Sequence, residues 1–217
     1  MLLLAFDTAT PAVTVALRGD GGLLAEETTV DAQRQGELLA ATITRVLAAA
    51  GADRRDLTAV AAGVGPGPYT GLRAGLVTAR VLGAVLGIPC CGVCSLDVIA
   101  QEAAGHAGGR EFLVATDARR REVYWARYSG TGQRLGGPAA GPPASLDAAL
   151  PVAGEGALRY PDLLGEPLAP RYPAAAVLAE LAAGRLAAGA PLLPLEPLYL
   201  RRPDARVPGP PKRVTPA

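Results

Sequence analysis

Asp7 and Asp117 each close an apolar run and stand just before a hairpin, and Gly65-Pro66-Gly67-Pro68-Tyr69-Thr70-Gly71 leads from an apolar strand into a helix. A carboxylate at a strand end can hold a divalent cation and its water. A glycine-rich turn at a helix start suits a phosphate, because free N–H groups and the positive end of the helix dipole point the same way. Asp7, Gly65, Gly67, Thr70 and Gly71 are therefore the candidate nucleotide or anion site, with Thr70 as the helix cap. Two features argue the other way. No Gly-Lys-Ser/Thr follows the turn and its glycine spacing is one residue too long for the dinucleotide fingerprint, while Pro66 and Pro68 remove amide donors. A tight turn that binds nothing, beside an aspartate that caps its own loop, is the competing reading.

Other chemistry is harder to assemble. Ser95, Ser129 and Ser145 lie outside any Gly-x-Ser-x-Gly elbow, and the single histidine, His106, sits in a glycine-rich loop, so a catalytic triad is not expected. Cys90, Cys91 and Cys94 are an odd set with no second pair, which fits reduced buried thiols better than a disulfide framework or a zinc site. No metal or other cofactor is expected. Arg119-Arg120-Arg121 beside Tyr124 and Trp125 is the basic and aromatic cluster. It either meets RNA phosphates and bases or is a hairpin whose arginine stems cover aromatic rings.

The elements that must position these residues follow from periodicity. Residues 2–6 read as a strand covered on both faces, 13–18 as an alternating strand, and Gly19-Asp20-Gly21-Gly22 as a turn into a third strand over 23–28. A helix over 37–50, a strand over 57–64, a helix over 72–86, a strand over 89–93 and a helix from Ser95 to about Ala104 come next. Three hairpin-linked strands followed by two helical crossovers make a mixed sheet flanked by helices, the layout of one lobe of the actin-like, hexokinase-like fold. From residue 112 the pattern restarts, with an apolar run to 116, Asp117, alternation over 123–128 and a turn at Gly130-Thr131-Gly132. A Gly/Pro/Ala loop over 136–144, a short strand over 151–153 and a helix over 174–188 complete it. Asp7 and Asp117 thus mark an internal duplication. The expected fold is α/β with two lobes, each a mixed sheet with flanking helices. The N-terminal lobe spans 1–105, a reduced C-terminal lobe spans 106–202, and 203–217 form a polar, proline-rich, disordered tail.

Half of the 217 residues are hydrophobic, enough for a packed core, and 21 basic against 20 acidic residues give a charge of +1. That balance supplies no field for nucleic acid or for a membrane surface. No apolar run approaches the roughly 20 residues of a membrane span, and the first strand runs into Asp7 without a basic start or a cleavage site, so a cytoplasmic protein is expected.

Between residues 72 and 87 the only charges are Arg73 and Arg80. A helix apolar nearly all round should be buried nearly all round. Gly75, Ala79, Gly83 and Gly87 recur at every fourth position as a smooth ridge. An interior glycine costs about 1 kcal/mol relative to alanine, so such a ridge calls for a packing reason. The helix over 37–50, with Leu39, Ile43, Val46 and Ala50 on one stripe, carries only Glu37 and Arg45. Either the pair is buried by its own lobe, or its apolar surface marks a protein partner.

Asp7-Thr8-Ala9-Thr10, the run from Gly65 to Gly75, Asp117-Ala118-Arg119-Arg120-Arg121-Glu122-Val123-Tyr124 and Pro197-Leu198-Tyr199-Leu200-Arg201 together resemble the bacterial TsaB (YeaZ) family, over residues 1 to about 202. The resemblance implies an actin-like, non-catalytic scaffold and activator of the TsaD subunit, in the machine that places threonylcarbamoyl on adenosine 37 of tRNA. It implies that the TsaE ATPase and tRNA dock on the complex, and that the chain pairs either with TsaD or with itself. The implied interface is the helix pair over 37–50 and 71–87, with Leu39, Ile43, Val46, Leu72, Arg73, Gly75, Leu76, Ala79 and Gly83. The metal-binding histidine pair of TsaD has no counterpart in Gln33-Arg34-Gln35-Gly36-Glu37-Leu38. Many relatives have Ser-Phe in place of Pro68-Tyr69 and His in place of Gln35, and the extra proline weakens the phosphate reading of the turn. The alternative is an actin-like ATPase that uses Asp7 and the 65–71 turn.

Overall fold

The computed structural model describes residues 1–31 and 34–201; Gln33 and the tail over 203–217 lie outside the described residues. The N-terminal half runs β1 (Leu3–Asp7), β2 (Ala12–Gly19), β3 (Gly22–Val30), α1 (Gln35–Ala49), β4 (Ala59–Gly63), α2 (Tyr69–Leu86), β5 (Cys90–Val93) and α3 (Ser95–Ala103). The remainder runs β6 (Gly109–Asp117), β7 (Val123–Gly130), β8 (Arg134–Gly141), β9 (Val152–Ala153), α4 (Glu155–Arg159), β10 (Pro167–Leu168) and α5 (Ala175–Ala187).

Two five-stranded sheets result, ordered β3-β2-β1-β4-β5 and β10-β9-β6-β7-β8. Read from its other edge, the second sheet repeats the first strand for strand. In both, a meander of three antiparallel strands is extended by two parallel ones. This is the two-lobe actin-like α/β fold. The second copy is the smaller, with β9 and β10 two residues long.

Alternation along each strand sends successive side chains to opposite faces. In the first sheet Leu4, Phe6, Val13 and Val15 pack with Leu39, Ile43 and Val46 of α1 and Leu76 and Ala79 of α2. Leu3, Ala5, Ala59 and Ala61 face the other way, onto Leu178, Ala179 and Ala182 of α5. The helix expected over 174–188 therefore crosses back to the first sheet, because its alanines match the small residues of β1 and β4. In the second sheet Phe112, Val114, Ala126 and Tyr128 bury Leu96, Ile99 and Ala100 of α3. Its other face holds Leu113, Ala115 and Val123 against Ala157 of α4.

Strand β8 occupies most of what the sequence suggested was a Gly/Pro/Ala loop. A ladder is made by backbone groups, and an edge strand tolerates a proline that a central strand would not. After α5 the chain runs along the free side of β5, where the Gly92 N–H donates to Leu193 O at 2.7 Å, and crosses above β4, where the Leu198 N–H donates to Val64 O at 2.9 Å. This strap brings Arg201 between the lobes.

Candidate functional site

Asp7 and Asp117 end the equivalent strands β1 and β6, and each carboxylate accepts from the backbone two residues on, Ala9 N at 2.7 Å and Arg119 N at 3.0 Å. The second oxygen of Asp7 is also taken. The Ser95 hydroxyl at the start of α3 donates to it at 2.5 Å and itself accepts from the Gly65 N–H at 3.2 Å. Burial pushes the Asp7 carboxyl above the ordinary range, opposed by the bonds from Ser95 and Ala9. Asp7 is a closed knot joining β1, the 65–71 turn and α3. A cation would have to break it.

The turn is likewise packed shut. A methyl on Gly67 would collide with the Ala9 carbonyl, and Thr8 donates its hydroxyl to Gly71 O at 2.8 Å. Thr70 does not cap α2: Pro68 holds the cap position, and Thr70 is exposed in the first turn. The glycines expected to cradle phosphate therefore let the turn lie against Thr8 and Ala9.

Asp117 is buried as well, and arginines take the place that Ser95 has at Asp7. Arg159 Nε stands 3.5 Å and Arg119 Nε 3.7 Å from its oxygens, and its backbone N–H faces Glu155 at 3.4 Å. Burial raises the Glu155 carboxyl above its ordinary range, and the Asp117 charge adds to the rise. Arg119, Arg120 and Arg121 follow with φ of 63°, 53° and 62°. Each left-handed non-glycine residue costs roughly 1–2 kcal/mol, so the surroundings must hold the turn. Arg201 does so, donating to Ala118 O at 2.8 Å and pairing with Glu122 at 3.1 Å. Beside this turn lies a cavity of about 320 Å³, lined by Tyr69, Thr70, Arg119, Arg120, Tyr124 and Arg201. Trp125 lies on the opposite face of β7, beside the Leu113 cluster, so the sequence cluster of arginines and aromatics is divided. Arg201 and Tyr199, whose ring packs at a tilt against Tyr69 with centroids 4.6 Å apart, are site residues that local sequence did not suggest.

The thiols are unreactive in character, with burial pushing Cys91 up to about 11 and Cys94 up to about 12. Among the described residues no group of three or more His, Cys, Asp or Glu is placed to hold a metal.

Most of the residues expected at the helix-pair interface point inward in this chain. Leu39, Ile43, Val46, Leu72, Gly75, Leu76, Ala79 and Gly83 are buried in their own lobe, and of the expected set only Arg73 is exposed. The ridge faces the sheet: a methyl on Gly75 would meet Thr8, and one on Gly83 would collide with the Cys90 sulfur. What α2 presents outward is a second stripe, Val77, Val81 and Val85, exposed to 57%, 54% and 77%. Ala84 and, on α1, Ala40, Ala41, Thr44 and Ala48 are exposed as well. The nearby charges are drawn aside. Arg80 donates to Leu195 O, Arg73 lies over the Tyr69 ring at 5.6 Å, and Arg45 pairs with Glu27.

The TsaD family, described as tRNA N6-adenosine threonylcarbamoyltransferase, matches residues 22–160. An uncharacterized protein of Mycobacterium tuberculosis is 47% identical over 94% of this chain and 93% of its own length. The tRNA threonylcarbamoyladenosine biosynthesis protein TsaB of Escherichia coli is 38% identical over 59% of this chain and 55% of its own length. YeaZ from Pseudomonas aeruginosa superposes with a TM-score of 0.79 at 31% identity, covering 92% of this chain and 99% of that one. With both the linear pattern and the three-dimensional path shared along nearly its whole described length, the chain belongs to the TsaB (YeaZ) family.

Proposed function

We propose that this chain takes part in tRNA threonylcarbamoyladenosine biosynthesis as a non-catalytic subunit that presents the outer face of α1 and α2 to a TsaD-type catalytic partner. The observation that carries the reading is the exposed Val77–Val81–Val85 stripe beside the alanines of α1. An apolar patch of this kind, with its charges withdrawn to the rim, gains free energy when another protein covers it. The closed state of Asp7 and the raised thiols support a role without chemistry of its own.

In this reading the same face joins two copies of the chain when the partner is absent, and TsaE and tRNA engage only the assembled pair, in the cytoplasm. The test is reconstitution. TsaD plus this chain should modify tRNA, Val81→Asp should abolish both co-purification and modification, and the chain alone should be silent. Modification by the chain alone, or an undiminished complex with Val81→Asp, overturns the proposal.

One observation favours a second reading, nucleotide binding: the cavity beside Tyr69 and Tyr124 offers aromatic walls and the arginines 119, 120 and 201. Calorimetric titration with ATP and magnesium decides it. Binding lost in Arg119→Gln but kept in Asp7→Asn would locate the nucleotide at the arginine turn, outside the Asp7 knot.

A further inference from the structure

A different cavity, of about 340 Å³, opens where the lobes meet along α3, lined by Asp97, Gln101, Gln133, Arg134, Leu181 and Arg185. Its walls come from α3, from the turn between β7 and β8, and from α5. The turn is rigidly built. The Ser129 hydroxyl accepts from the N–H groups of Thr131 at 3.3 Å and Gln133 at 3.1 Å. Gly132, with φ of +79°, lies so close to α3 that a methyl there would stand 3.2 Å from Ala100 O. Gln133 and Arg134 are thereby fixed over α3.

The one carboxylate in the lining is already committed. Asp97 accepts the hydroxyl of buried Tyr128 at 2.8 Å and faces Arg134 at 3.5 Å. Arg185 has no carboxylate partner among the described ion pairs. The lining therefore holds one uncompensated positive charge, two side-chain amides and an apolar patch at Leu181. Arg185 stands in the last turn of α5, where the helix dipole favours a cation. The dipole explains neither the convergence of a second arginine nor the two glutamines around the same space.

We propose that this cavity binds a small molecule bearing a phosphate or carboxylate group, seated between Arg134 and Arg185 with Gln101 and Gln133 donating to its oxygens. Planar guanidinium groups suit both oxyanions. Arg185 belongs to a helix packed on the first sheet and Arg134 to a strand of the second, so the bound anion ties the lobes together. The inference does not depend on the partner proposed for α1 and α2.

Thermal unfolding of the full chain at fixed ionic strength tests it, with inorganic phosphate and malonate titrated separately. A ligand that binds only the folded chain raises the midpoint with the logarithm of its concentration. One of the two anions should do so below about 10 mM, and which one does identifies the oxyanion. Arg185→Gln should weaken the response at least tenfold, while Arg119→Gln, in the other cavity, should leave it intact. No response to either anion, an equal response in Arg185→Gln, or a response abolished by Arg119→Gln overturns the proposal. If Arg185→Gln is itself unstable, Gln101→Ala, which preserves every charge, must still weaken the response several-fold. An unweakened response in that variant also refutes the site.

Discussion

Ala79→Asp and Val81→Asp, two residues apart on α2, separate its inward from its outward face. Ala79 is fully buried in the cluster of Leu39, Val60, Ala62 and Leu76. A carboxyl placed in such surroundings titrates about 3–5 units above its usual value, and each unit is worth about 1.4 kcal/mol. The cost at neutral pH is therefore roughly 4 kcal/mol, because once the folded value passes about 7 the carboxyl is protonated and the cost stops growing, with about 1–3 kcal/mol more from overpacking. A typical domain has about 5–15 kcal/mol of net stability, so Ala79→Asp stands at the edge of folding or beyond it. Val81 is 54% exposed, and a surface change there stays within about 1 kcal/mol. Urea unfolding followed by far-UV circular dichroism should give Val81→Asp a midpoint near that of the wild type and Ala79→Asp no cooperative transition. In a binding assay with TsaD, Val81→Asp should weaken affinity by roughly 30-fold or more, because burying an unpaired carboxylate in the contact costs about 2 kcal/mol at least. A wild-type midpoint for Ala79→Asp would refute the inward packing of the ridge, and undiminished affinity for Val81→Asp would refute the outward interface.

Asp7 and Glu155 both titrate above the usual carboxylate range when folded. The folded chain then holds protons that the unfolded chain has released, so stability falls as pH rises from the unfolded value through the raised folded one. The urea midpoint should decline as pH rises above the unfolded carboxyl values of about 4, and Asp7→Asn should flatten the decline; a midpoint that climbs contradicts this. Ser95→Ala removes a donor to a buried carboxylate and should cost about 2–3 kcal/mol of unfolding free energy, with an unchanged midpoint arguing against the knot. Arg121→Gly relieves a left-handed residue at an exposed position and should stabilise by up to about 1 kcal/mol in the same assay, whereas destabilisation would mean that the side chain holds the turn. Arg201→Ala unties the strap from Ala118 and Glu122, and should speed amide exchange over 118–122 while β1 stays protected.

The duplication was legible because Asp7 and Asp117 follow similar apolar runs and precede similar hairpins, and the sheets carry that repeat to their far edges. β8 escaped notice because Gly136, Gly137 and Pro138 have no pattern of apolar side chains, while pairing requires only backbone groups. α4 is five residues long, too short for a periodic stripe. Which face of the helix pair is exposed was hidden for a different reason. Periodicity identifies a stripe without saying what covers it, and glycines at 75 and 83 serve a close approach to Thr8 and Cys90 of the chain itself. A usable signal was present. Arg73 and Arg80, the two charges of α2, lie seven positions apart on one side and mark the solvent face on which Val77, Val81 and Ala84 also fall. The binding role assigned to the 65–71 turn rested on local spacing, which cannot reveal that Thr8 and Ala9 fill the space above it.

The return of α5 to the first sheet bears on how the chain is made. Leu3, Ala5, Ala59 and Ala61 leave the ribosome early, yet Leu178, Ala179 and Ala182, which cover them, are translated more than a hundred residues later. Throughout that interval the nascent N-terminal half has one greasy flank open to solvent, vulnerable to aggregation and available to chaperones. A gene fragment ending before α5 would leave that flank permanently bare, so the two halves of this duplicated protein, alike in plan, are not separable products.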